Sequence, residues 1–197
     1  MTSRKRKILL AVIFCFAFAM RFQNLAWDEL LHLHPDERFL TMVGNAMSIP
    51  SSVSHYLSPD TSTFNPANVG YPFFVYGTLP VVVSKLLTVV THLDTFDGFV
   101  MRGRFLSAFA DMGALAMVML FAAAVTRKNG FHGTIPYAAG FLYAGFVLPI
   151  QSAHFFISDS FLSFAVMSAV LFAYRFGSAA DSDRRLRDIL LAALATA

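Results

Sequence analysis

Apolar residues in this chain come in long blocks separated by short polar ones. Ile8–Met20 is unbroken, and its apolar character resumes at Phe22, Leu25 and Trp27. Phe105–Val125, Ile135–Ile150 and Phe155–Tyr174 follow the same pattern. Blocks of this length match the roughly 20 residues that a helix needs to cross a bilayer. The spacing predicts spans at about 8–25, 105–125, 135–150 and 156–174. A further run at 188–197 is too short to cross, which reads as the N-terminal part of a larger bundle.

Residues 24 to 70 are the longest polar stretch. Within it Pro35 suits a first helical turn, and Asp36 and Glu37 favour that positive end. Phe39, Leu40, Val43, Ala46 and Met47 then recur at helical spacing, predicting an amphipathic helix along the membrane surface. A loop rich in Ser, Pro, Asn and Thr runs from Ser48 to Gly70. Tyr71–Val90 is long enough to cross but holds Pro72, Gly77, Pro80 and Lys85.

Charge decides between the topologies. If 71–90 does not cross, ten cations fall on the cytoplasmic side, from Arg4-Lys5-Arg6-Lys7, Arg127-Lys128, Arg175, Arg184, Arg185 and Arg187. Arg21, Arg38, Lys85, Arg102 and Arg104 then lie near or on the outer side. The positive-inside rule prefers this arrangement, with 71–90 as a re-entrant or surface hairpin. The fold class expected is all-α, a polytopic transmembrane helical bundle with surface-lying helices in the first external loop. A competing reading of the first run is a cleavable signal peptide, since Ala17-Phe18-Ala19 has the small-x-small pattern.

Composition agrees. Of 197 residues 56% are hydrophobic and only 14% charged, against about 25% charged in soluble domains. The net charge of +3 sits at block ends, so it reads as topology; no basic surface interleaved with aromatics suggests nucleic acid. The single cysteine, Cys15, excludes a disulfide or a Cys-ligated metal within the chain.

Candidate chemistry centres on His32-Leu33-His34-Pro35-Asp36-Glu37. A carboxylate at a water–lipid boundary can deprotonate an acceptor hydroxyl or help hold a divalent cation. Adjacent acids point in different directions on a helix, so one faces the chemistry and the other a cation or a neighbour. The bland alternative is decoration of a helix start. His32, His34 and Asp36 alternate and would share a face in an extended segment, a pattern open to zinc. Arg102 and Arg104 head a span and suit a phosphate, or anchor at the surface. Asp111 lies inside that span, where an acid is functional or pairs with a cation. Gln151, His154 and Ser158 stand one turn apart if helical, beside Asp159. In the preferred topology Asp159 emerges on the same side as Asp36 and Glu37.

These motifs occur in a telling order: His34-Pro35-Asp36-Glu37, Asn65-Pro66, Tyr71-Pro72-Phe73-Phe74-Val75-Tyr76-Gly77, Arg104-Phe105-Leu106-Ser107, and Gln151–Asp159. From about Phe22 to Tyr174 the chain resembles the dolichyl-phosphate-mannose–protein mannosyltransferase and aminoarabinose transferase group. These belong to the GT-C class of membrane glycosyltransferases. The resemblance implies a polyprenyl-phosphate-linked sugar donor, a protein, lipid or glycan acceptor, and transfer on the extracytoplasmic side. It implies that Asp36 serves as base or assists a metal, with Glu37 as its partner and Asp159 as the acid of the second external loop. It also places Arg104, with Arg102 beside it, near the donor phosphate. Any divalent metal would draw on Asp36, Asp159 and His34, with His154 close by. The Pro-Pro of many relatives is Tyr71-Pro72-Phe73 here. A non-enzymatic membrane transporter or lipid-handling subunit using Asp111 and Asp159 is the competing function.

Overall fold

A computed structural model describes residues 2–128, 133–178 and 182–196. Every regular element among them is helical: α1 (Ser3–Phe22), α2 (Pro35–Ala46), α3 (Val53–Tyr56), a 3-10 turn (Pro66–Val69), α4 (Thr78–Val90), α5 (Phe96–Lys128), α6 (Ile135–Gly145), α7 (Val147–Ala153), α8 (Ser158–Ser178) and α9 (Ser182–Thr196). The all-α class is as expected. Two helices, Phe96–Arg127 and Ser158–Ser178, are long and apolar enough to cross a membrane.

Three elements depart from the sequence reading. The expected span 105–125 is part of a longer helix, because α5 starts at Phe96 and takes in Arg102 and Arg104. Its 33 residues run roughly 50 Å, well beyond the ~30 Å of a hydrocarbon core, so its polar first turns need not be loop. The expected span 135–150 is two short helices broken at Phe146, whose backbone is extended. Pro149 explains the break: it has no N–H for the Gly145 carbonyl, and its ring would collide with that oxygen in a continuous helix. The run at 188–197 lies within α9, which begins at Ser182. α4 is apolar, but its 13 residues reach only about 20 Å, too short to cross alone.

The chain divides into two compact units. The first comprises Met1–Gln23, Ala108–Gln151 and Asp159–Ala197. Here α1 packs on α6, around a core of Ile13, Ala17, Leu115, Met119 and Ala144. Gly140 permits the contact, since a Cβ there would sit 2.5 Å from the Met119 sulfur. Arg21 is fully buried and pairs with Asp111, also donating to the carbonyls of Ala17, Tyr143 and Ala144. The Tyr143 hydroxyl donates to the other Asp111 oxygen at 2.7 Å. Asp111 thus takes the cation-paired option of the two that its sequence allowed. Because Ile13, Ala17 and Arg21 are wholly buried, α1 contributes one side of this core.

The second unit comprises Asn24–Ser107 and Ser152–Ser158. α2 begins at Pro35, with Asp36 and Glu37 in its first turn. Its apolar face does not lie open to lipid. Leu40, Val43 and Met47 are buried, and α2 packs on α4. Gly44 lets the Phe99 ring of α5 come so close that a Cβ would stand 2.0 Å from it. Phe99 in turn meets Phe156 edge-on at 5.7 Å. On α4 the buried side carries Pro80, Val81, Ser84, Lys85 and Thr88, while Leu79, Leu86 and Val90 are exposed. Lys85 is buried and reaches Asp94 at 2.9 Å, across the turn between α4 and α5.

Candidate functional site

The most strongly held charges in the second unit surround Arg104. All five of its N–H groups are engaged. Nε donates to Glu37 at 2.8 Å. One terminal nitrogen donates to Asp28 at 2.8 Å and to the Leu25 carbonyl at 2.6 Å. The other donates to Asp28 at 2.9 Å and Glu37 at 2.7 Å. The side chains of Arg104, Asp28 and Glu37 are all fully buried. A guanidinium has five donors in a fixed fork, so nothing is left over for a ligand phosphate unless one acid is displaced. In this geometry Arg104 is held inside the second unit by Glu37, Asp28 and the Leu25 carbonyl.

Asp28 was not singled out by sequence. It stands in a segment where Asn24, Glu29, Leu30 and His32 all adopt positive φ, between 48° and 61°. Such backbone is costly for non-glycine residues and persists where its surroundings enforce it. Asp28 supplies part of that enforcement, accepting the Leu30 N–H at 3.2 Å while gripping Arg104. The guanidinium's hydrogen bonds hold its carboxyl well below the ordinary range, at about 2, against the opposing effect of burial.

Glu37 does one thing more. Its Oε1 accepts the Phe156 N–H at 2.7 Å. That amide therefore does not continue a helical ladder, and α7 ends at Ala153 while α8 restarts at Ser158. Gln151, His154 and Ser158 consequently do not share one helical face as their spacing suggested. His154 lies half-buried in the turn between the two helices. Asp159 is exposed in the first turn of α8 and belongs to the first unit, so the site described here is built from residues of the second unit alone.

Asp36 has a different setting from Glu37. It is half-buried, and the Tyr76 hydroxyl donates to its Oδ1 at 3.0 Å. Oδ2 has no partner among the described residues. The carboxylate beside it raises the Tyr76 pKa, so the phenol keeps its proton and remains a donor. One oxygen is thereby fixed and the other left to accept a proton. This is the open carboxylate that general-base chemistry requires.

The two histidines have separate neighbours, and the Nδ1 of each is buried without a hydrogen-bond partner. His32 bonds Asp97 at 2.9 Å and His34 packs against Phe155. No three His, Cys, Asp or Glu side chains gather as metal ligands among the described residues, so His32, His34 and Asp36 do not form the shared face considered for zinc. No metal is assigned a place.

Arg102, unlike Arg104, keeps most of its donors. Its Nε bonds the Thr91 hydroxyl at 3.2 Å. It lines a cavity of about 340 Å³ with Leu25, Leu87, Thr91, Met101 and Phe105. One guanidinium on a mainly apolar wall suits an anionic head joined to a hydrocarbon tail. No family model, curated protein or solved structure matches the chain.

Proposed function

We propose that the protein is a multi-pass membrane glycosyltransferase that moves a sugar from a polyprenyl-phosphate donor to an acceptor hydroxyl on the extracytoplasmic side. The observation that carries this is the open Oδ2 of Asp36, in the same unit as an apolar cavity bearing Arg102. The acceptor oxygen attacks the anomeric carbon while its proton passes to Asp36 Oδ2. The bond from that carbon to the phosphate oxygen breaks, and the lipid phosphate leaves with the electron pair. Arg102 supports the negative charge on the departing phosphate. The resemblance to the mannosyltransferase and aminoarabinose transferase group adds to this reading through the order of its motifs. The role expected there of Arg104 passes to Arg102, because Arg104 has no donor to spare.

The test is Asp36→Asn in the full chain, reconstituted with a polyprenyl-phosphate sugar. Transfer falls to background while membrane expression is unchanged; full activity in this variant overturns the assignment. The side of the membrane is checked with single cysteines in a Cys15→Ser background. Cysteines at 36 and 159 react with an impermeant reagent from outside, and one at 128 does not.

A lipid-handling subunit is the second reading, favoured by the same cavity at Arg102. Extraction of lipid phosphate with no consumption of the sugar donor selects it. Proton transport through Asp111 gains no support, since Arg21 and Tyr143 engage both carboxylate oxygens.

A further inference from the structure

Four aromatic rings cluster around Phe39, and one of them, Tyr76, bonds the Asp36 carboxylate. Phe39 stands on α2 three residues after Asp36, which puts the two on neighbouring turns of one face. Its ring lies 5.7 Å from Tyr71, 6.1 Å from Phe74 and 5.8 Å from Tyr76, and Phe74 is 6.0 Å from Tyr76. All four are half-buried, whereas Phe73 and Val75 in the same extended segment are 78% and 66% exposed. Phe73 and Val75 therefore lie outside this cluster. The quartet is drawn together on Phe39 and directs the Tyr76 hydroxyl to a carboxylate, a polar arrangement that hydrocarbon would not reward.

A pyranose ring has a flat face of C–H groups and a rim of hydroxyls. Aromatic faces take the first, and a carboxylate with a phenol takes the second. We infer that Phe39, Tyr71, Phe74 and Tyr76 form a stacking platform for a pyranose whose hydroxyl is presented to Asp36. The acceptor is thus a carbohydrate and not a serine or threonine of a protein. This rests on the transfer reading only for which sugar the platform holds. An organic ammonium also favours aromatic faces beside a carboxylate, but a cation there would compete for the oxygen that the reaction needs free.

Saturation-transfer NMR on the full chain in lipid nanodiscs tests the platform, with the methyl pyranosides of mannose, glucose and galactose as probes. Tetramethylammonium and a serine/threonine-rich peptide serve as controls. At least one pyranoside shows contacts from its ring C–H protons. Phe74→Ala weakens its apparent affinity roughly threefold to tenfold, the range of one aromatic contact. Phe74→Tyr keeps the ring and retains binding. Trp27 emission confirms that each variant is folded. No contact with any pyranoside, equal binding by Phe74→Ala in folded protein, or contact with tetramethylammonium or the peptide alone overturns the platform. Loss of the pyranoside contact when the nanodiscs hold polyprenyl-phosphate sugar assigns the rings to the donor and overturns the acceptor claim. Pyranoside binding with no donor consumption leaves the platform standing and removes the transferase reading. Transfer to peptide without pyranoside contact does the reverse.

Discussion

Replacing Arg104 by lysine keeps the charge and removes the fork. Five N–H···O bonds between 2.6 and 2.9 Å become at most three, all radiating from one nitrogen. At least two charge-assisted bonds are lost, at about 1.5–3 kcal/mol each, giving roughly 3–6 kcal/mol. That agrees with the ~3–5 kcal/mol typical of stranding a buried charge. For a chain of this size the melting midpoint should fall by roughly 6–24 °C. The molecule carries its own reporter. Its single tryptophan, Trp27, places its ring 6.0 Å from the Arg104 guanidinium carbon, so intrinsic fluorescence during heating in detergent reads the local event. Arg102→Lys is the control, because Arg102 makes one side-chain bond of 3.2 Å and is half-buried. The triple variant Arg104→Met/Asp28→Asn/Glu37→Gln should be more stable than Arg104→Met alone, since no charge is left unpaired. An Arg104→Lys protein with wild-type Trp27 emission and an unchanged midpoint would refute the account of this cluster.

Acid should find the same cluster late. Asp28 is held at about 2 in the folded chain, below the ordinary carboxyl near 3.9, so its contribution is complete above about pH 4 and is lost as pH falls toward 2. Trp27 emission followed from pH 6 to 2 should show this loss in the lowest part of the range, and Asp28→Asn should remove that dependence. Gly103→Ala should destabilise by about 1–3 kcal/mol through overpacking, because the new Cβ would lie 2.2 Å from the Phe156 ring. Gly177→Ala meets nothing within 4 Å and should be neutral or stabilising, so melting of the pair separates crowding from helix propensity.

The parts legible in the sequence are those written locally. Pro35-Asp36-Glu37 marks the start of α2, and the length and apolarity of 105–125 and 156–174 mark α5 and α8. The expected span begins at 105, after the charged residues Asp97, Arg102 and Arg104, which α5 takes in. In the fold Arg104 is instead neutralised by acids 67 and 76 positions away, a pairing that no local pattern announces. Asp28 escaped notice for the same reason, and a search for acids balancing a span-borne arginine is the signal that could have found it. Adjacent acids on a helix point in different directions, and which of the two turns inward depends on tertiary contacts. Glu37 turns inward to Arg104 and the Phe156 amide, and Asp36 outward to Tyr76. The break at Phe146 was legible in Pro149 and was overridden by the length of the apolar run.

The coupling of Arg21 to Asp111 bears on how the chain is built. The Arg21 guanidinium meets its carboxylate only when residue 111 has also emerged. Until then each is a lone charge within or beside an apolar segment, a state that lipid penalises. Completing the first unit therefore depends on a pairing across 90 residues, a dependence that hydrophobicity alone would not impose.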